Sequence, residues 1–203
     1  MKYCKKQQGF TIVELIMATA VFSVVLLLGL TGFIQVGKMF YKGVTLSQTR
    51  DASTDILQTV SNDLKFASQV TSNANIVCIG NHRYTKNLNQ KLSTADGPAT
   101  NFALKRETFN NHADCLNTSV TPNATGSPEL LQNNMRISRF DINQVGNPAQ
   151  NLYSINIKVI YGDDEDLTST DASAQCKGTS VGTQFCAVSE LSSTVYRGLG
   201  DTR

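Results

Sequence analysis

The chain has 203 residues, no tryptophan, 7% aromatic residues and a formal net charge of +2. Lys2, Lys5 and Lys6 supply three positive charges within the first nine residues, so beyond residue 9 the side-chain charge falls from +2 to −1 and no basic stripe remains. These values suit one ordinary domain behind a specialised N-terminus, and they argue against nucleic-acid binding through bulk charge.

From Phe10 to Ile34 the only ionisable residue is Glu14, a run of 25 residues. That is enough to cross a hydrocarbon layer of about 30 Å as a helix. The run continues into "IQVGKMFYKGV" with no A-x-A-like site, so cleavage behind it is not expected. The lysines ahead of it predict a cytoplasmic N-terminus and an exported remainder. A carboxylate inside such a segment costs on the order of 2.5–3.5 kcal/mol, and the nearest downstream cation is Lys38. Either Glu14 stays hydrated at the cytoplasmic interface, or its partner lies on another molecule.

No proline occurs before Pro98, and the helical pattern runs on to about Val70. Leu46, Thr49, Ser53, Leu57, Val60, Leu64 and Ala67 recur at three- and four-residue steps, with Ile56 and Phe66 widening the stripe. Arg50, Asp51, Asp55, Asp63 and Lys65 fall mainly off it. This predicts an amphipathic second half packed on a globular head. A continuous helix of that extent would be roughly 90 Å long. Gly29, Gly32, Gly37 and Gly43 lie within it, either for close helix packing or as a stretch that can loosen.

Beyond the helix, "NIVCIG" (75–80), "NFALKR" (101–106), "MRISRF" (135–140), "LYSINIKVIYG" (152–162) and "SSTVYRG" (192–198) read as strands. In the fourth, Tyr153, Ile155, Ile157, Val159 and Tyr161 share one face, and Ser154, Asn156 and Lys158 the other. Residues 118–129 and 162–175 read as surface loops. The expected fold class is α+β: a long N-terminal helix packed on a small antiparallel sheet. Cys4 lies in the leader, which leaves Cys78, Cys115, Cys176 and Cys186. Four cysteines allow three pairings; the nearest-neighbour pairs, Cys78–Cys115 and Cys176–Cys186, are favoured over free thiols. Metal binding is not favoured, for there is no CxxC, and His82 and His112 lack metal-ligand spacing.

"KKQQGFTIVELIMATAVF" (5–22) resembles the type IV prepilin signature: a short basic leader ending in Gly, then Phe, then Glu at the fifth position after the Gly. The resemblance covers about the first 60 residues. It implies cleavage by a prepilin peptidase between Gly9 and Phe10, N-methylation of Phe10, and an assembly role for Glu14. In that family the glutamate is associated with the N-terminal amine of a neighbouring subunit. It implies a removed leader (1–9), a membrane-spanning and filament-core half (10–37), and an amphipathic half with a β-rich head (38–203). Asp63, Leu64, Lys65 and Ala67, within 50–68, resemble the end of the helix in minor pilins and J-type pseudopilins. The longish head and two cysteine pairs also suit a minor pilin, held in the cytoplasmic membrane before assembly and on the cell surface after it. The alternatives are a pseudopilin of a type II secretion system, or a pilus-displayed binding module for adhesion or DNA uptake.

Several further patterns read as plain surface. Asp163, Asp164, Glu165, Asp166 and Asp171 lack EF-hand spacing and read as an acidic solvated turn. Tyr84, Lys86, Lys91, Lys105 and Arg106 read as a mild basic face. The sequons at 117–119 and 123–125 are weak signals. His82 and His112 each stand apart from any nucleophile arrangement, so no catalytic residue, cofactor or nucleic-acid partner is expected.

Overall fold

The computed structural model describes residues 9–92, 102–123, 129–147, 150–178 and 185–198; the leader expectation at 1–8 lies outside them. A single helix, α1, runs from Ile12 to Phe66. The chain divides into two units, Met1–Phe40 and Tyr41–Arg203.

In the first unit the large apolar side chains of α1, from Ile12 to Phe40, are exposed. Among the described residues α1 is the one helix long and apolar enough to cross a membrane, by length and composition. A Cβ at Gly29, Gly32 or Gly37 would meet nothing within 4 Å, so no packing within the chain explains these glycines.

In the second unit α1 buries Thr45, Thr49, Ala52, Ser53, Ile56, Val60 and Leu64. The predicted stripe is correct in period and slightly rotated. Leu46 and Phe66 face solvent, and Leu57 is half-buried. The upper part of the seam is hydroxylic: Thr45, Thr49 and Ser53 donate to the carbonyls of Tyr41, Thr45 and Thr49 at 2.9, 2.8 and 2.8 Å. Bonding one turn back satisfies the hydroxyls without a partner across the seam. The helix ends four residues earlier than the sequence pattern suggests.

Among the described residues seven antiparallel strands follow, in two sheets rather than the single small one expected. β1 (Val70–Asn73), β2 (Ile76–Ile79), β3 (His82–Lys86) and β4 (Leu104–Thr108) lie in that order. β5 (Met135–Val145), β6 (Leu152–Tyr161) and β7 (Ala187–Tyr196) form the second sheet. A short helix, α2 (His112–Cys115), lies between β4 and β5. The sequence pattern misses β1 and β3 and starts β7 five residues late. β3 reads "HRYTK", whose polar letters hide two buried residues, Arg83 and Tyr84.

One core joins the helix to both sheets: Ile56, Val60 and Leu64 cluster with Val77, Ile79, Tyr84 and Leu104, and with Met135, Ile137, Phe140, Ile155, Ile157 and Val159. The face predicted for β6 is the face that enters this core. In β5 a bulge between Ile137 and Arg139 shifts the register. Alternation from Met135 would turn Phe140 away, and the extra residue, Ser138, returns Phe140 and Ile142 to the core side. Residues 162–175 are more than a surface loop. They bring Leu167 and Ala174 against Ile160 and Cys186 in a second small core. Lys158, expected on a polar face, is covered by this segment and donates to Ala172 O at 2.8 Å.

After β7 the chain crosses the end of α1, where Gly198 N donates to Lys65 O at 3.1 Å. This satisfies one of the carbonyls that a helix end leaves without a partner. A Cβ on Gly198 would stand 2.5 Å from that oxygen, so the backbone would have to move. Gly198→Ala should therefore cost about 1–3 kcal/mol, read as a lower unfolding midpoint by thermal melting of the detergent-solubilised chain. An unchanged midpoint would show that the crossing does not hold the helix end.

Candidate functional site

Two regions hold the candidate residues. In the first, Gly9, Phe10 and Thr11 precede the helix, and Glu14 lies in its first turn. Thr11 Oγ1 accepts from Glu14 N at 3.3 Å, the arrangement of an N-cap. An acid in this turn gains about 0.3–1 kcal/mol from the helix dipole. That is less than the 2.5–3.5 kcal/mol that a mid-membrane carboxylate costs. Local helix structure therefore explains only part of this acid, and its side chain faces outward.

The second region is a polar cluster where α1 meets β3 and β4. Arg106 Nε and Nη2 donate to the two carboxylate oxygens of Asp63, each at 2.9 Å. The hydroxyl of Tyr84, which is fully buried, donates to Asp63 Oδ2 at 2.5 Å. Arg106 Nη2 also lies 3.1 Å from His82 Nε2, and His82 Nδ1 lies 3.1 Å from Thr108 Oγ1. Arginine can only donate, so Nε2 accepts and the proton sits on Nδ1, which donates to Thr108. Burial, then the charge and hydrogen bond of Asp63, push the Tyr84 hydroxyl far above its usual range. The hydrogen bond to Asp63 raises Arg106 in spite of its burial. His82 is lowered, chiefly by burial; Asp63 opposes this and Arg106 adds to it. The 3.7 Å approach of His82 to Asp63 is therefore a contact of neutral imidazole, not an ion pair.

Neither histidine stands apart, as the sequence suggested. His112 Nδ1 is 2.6 Å from Gly80 O and its Nε2 is 3.2 Å from Thr71 Oγ1, which ties α2 to the first sheet. Close by, the sulfurs of Cys78 and Cys115 are 2.00 Å apart. Those of Cys176 and Cys186 are 2.05 Å apart. The nearest-neighbour pairs are thus the pairs at disulfide distance.

The basic face dissolves on folding. Arg106 is held by Asp63, Lys91 by Asp163 at 2.5 Å, and Lys86 by Phe140 O at 3.0 Å. Lys105 lies over the Phe102 ring at 4.3 Å. The acidic turn is likewise engaged. Asp164 pairs with Arg136, which is 1% exposed and also donates to Gly162 O. Lys177 Nζ donates to Glu165 O at 2.7 Å. Asp171 is lowered, first by its hydrogen bonds from Ser173. Among the described residues no group of three His, Cys, Asp or Glu could hold a metal ion.

Sequence reasoning missed Asp63 as a partner, and with it Arg136 and Glu129. Glu129 Oε1 and Oε2 accept from the backbone N–H groups of Leu104 and Ala103 at 2.8 and 3.0 Å. Burial raises its carboxyl, opposed by those same hydrogen bonds. For Asp63 a signal existed: it sits between Val60 and Leu64, at the edge of the buried stripe. Nothing local marks Glu129 or Arg136.

Comparison with known proteins adds one match. The family described as "Prokaryotic N-terminal methylation motif" matches residues 4–30. No curated protein and no solved structure matches the chain significantly.

Asp63→Ala leaves Arg106 and Tyr84 without their acceptor and should cost about 1–3 kcal/mol in urea unfolding; a loss below the error of the measurement would demote the clamp. His82 has a lowered pKa in the folded state, so the unfolded chain binds more protons as pH falls below the ordinary histidine value of about 6.5. Its penalty is absent above that pH and grows as pH drops toward the folded value. The stability difference between wild type and His82→Asn should therefore change between pH 7 and pH 5, in favour of the variant. A pH-independent difference would contradict the assignment.

Proposed function

We propose that this chain, whose N-terminal motif supports a type IV pilin-like precursor, works as a minor pilin. The motif implies processing by a prepilin peptidase and assembly with other pilins. The proposed cut lies between Gly9 and Phe10, the proposed methylation is on Phe10, and Glu14 is the proposed intersubunit group. Residues 1–9 would be removed, 10–37 would serve as membrane anchor and then filament core, and 38–203 would form the exposed head.

The observation that carries this reading is the condition of α1 between Ile12 and Phe40. Its large apolar side chains are exposed, and the motif overlies those as far as Leu30. Burying one such side chain is worth roughly 1.5–3 kcal/mol, so the segment needs lipid or other subunits around it. A carboxylate on the same segment then needs a cation in low dielectric. The new amine of a neighbouring chain meets that need, although desolvation opposes the attraction. A pseudopilin would carry the same segment, and the head assigns no ligand.

Mass spectrometry of the mature N-terminus, beside sheared surface filaments, tests the reading. An intact Met1 or a cut after residue 30 would remove it. Correct cleavage with absence from filaments would leave the pseudopilin. Glu14→Ala should leave cleavage intact and lower incorporation. A charge-assisted contact of about 1.5–3 kcal/mol corresponds to roughly a ten- to hundredfold loss, scored by immunoblot of sheared fibres. Normal incorporation would sink the intersubunit role.

A further inference from the structure

Four strand edges bound the two sheets: β1 and β4 in the first, β5 and β7 in the second. An edge offers a row of unpaired N–H and C=O groups, and folded proteins shorten, cover or kink such rows. Three of the four are treated in these ways. β1 has only four residues. β4 is covered: Glu129 takes the N–H groups of Ala103 and Leu104, Leu130 N donates to Leu104 O at 3.0 Å, and Asn123 N donates to Thr108 O at 2.9 Å. β5 carries the bulge, and Leu92 N, Asn89 N and Lys86 Nζ donate to the carbonyls of Met135, Ile137 and Phe140 at 2.9, 2.8 and 3.0 Å.

β7 has none of these guards. It runs for ten residues, about 33 Å, pairs with β6 without a register shift, and contains neither proline nor lysine. Among the described residues no backbone group bonds to it from the side away from β6. In an antiparallel ladder every second residue directs its N–H and C=O away from the neighbouring strand, so about half of β7 presents both groups outward. Glu190 is its one charge, and its own sheet engages that charge, through Arg139 at 2.8 Å and Lys158 at 3.8 Å. A long, regular edge with its charge already matched is one to which another strand adds.

The sequence of β7, "AVSELSSTVY", fits its own copy. A twofold contact sets the strand antiparallel against itself. With Ser192 opposite Ser192 of the second copy, Glu190 faces Thr194, Leu191 faces Ser193, and Val188 faces Tyr196. No like charges meet, and Tyr196, 57% exposed, gains a β-branched neighbour; aromatic–β-branched and hydroxyl pairs across strands are favourable. A register centred on Glu190 would oppose two carboxylates. The guarded edges leave β7 no other strand to take on a second copy, so the contact closes at two chains instead of running on.

We propose that β7 is a pairing edge for a second copy of this chain, joined antiparallel about Ser192, so that the second sheets of the two heads run on as one. Neither cleavage at Gly9 nor Glu14 enters this contact, and it stands or falls apart from the pilin reading.

The test uses the full chain in detergent micelles. It carries Cys4→Ser, because the other four cysteines stand in pairs and an introduced thiol then has no unpaired rival. Mild oxidation should trap Ser192→Cys as a disulfide-linked dimer. Glu190→Cys and Thr194→Cys should each stay monomeric alone and cross-link when mixed, for each lies opposite the other and four residues, roughly 13 Å, from its own counterpart. Ser72→Cys, on the short edge β1, is the control for chance collision. Pairing raises the local thiol concentration from micromolar to about millimolar, so Ser192→Cys should give at least about tenfold more dimer than this control. Ser192→Lys, added to the mixed pair, sets two lysines opposite one another and should abolish the cross-link. Folding of each variant is checked by circular dichroism, and if Ser192→Cys does not fold, the mixed pair decides alone. No excess of dimer over the control, or a mixed pair that stays monomeric, would overturn the proposal. A cross-link in whole membranes to a different protein, and none to the second copy, would also overturn it and assign the edge to a foreign strand.

Discussion

Everything in the head depends on the seam that α1 buries between Thr45 and Leu64. Ile56, Val60 and Leu64 form an apolar ridge that shares one core with strands of both sheets. Each sheet is small, and three or four strands need a second layer to be stable in water. The polar cluster then sets how the helix is rotated. Asp63 is fixed by Arg106 from β4 and Tyr84 from β3, so the helix cannot turn without leaving a buried charge without its partners.

The same helix is built on opposite rules in its first half. From Ile12 to Ile34 its large apolar side chains are exposed on every side, which is the composition of a segment surrounded by lipid or by other helices. Glu14 is the exception, and magnitudes decide how to read it. The helix dipole and the Thr11 cap stabilise an acid in the first turn, yet by less than membrane insertion of that acid costs. An acid kept at such a cost is expected to be functional. The proposed pairing with the amine of a neighbouring chain would give it a use.

In the head, charges that look like surface in the sequence prove to be internal fasteners. Arg136, Asp63 and Glu129 each join two segments far apart in the chain, the Cys78–Cys115 pair does the same covalently, and Lys158 and the Cys176–Cys186 pair close shorter loops. A disulfide stabilises mainly by restricting the unfolded chain, which suits a small head closed on a single helical ridge. Lys91 and Asp163 join the basic face to the acidic turn, while Arg106, Lys86 and Asp164 are held by groups elsewhere in the head.

The sequence by itself determined the long helix, its change of character near residue 40, and the strands β5 and β6; among the three cysteine pairings it only favoured the one that the fold brings to disulfide distance. These are set by local rules: residue period, absence of proline, and alternation along a strand. It did not determine the division into two sheets, the strands β1 and β3, or the burial of residues 162–175. β3 is polar by letter, because its buried members are an arginine and a tyrosine that find partners only after folding. The register of β5 turns on one bulged residue, which alternation cannot announce. Which carboxylates are fasteners and which face water was decided by tertiary structure alone. An ion pair across twenty to forty residues leaves no period in the chain, and its members look no different from solvated charge until the helix and sheets meet.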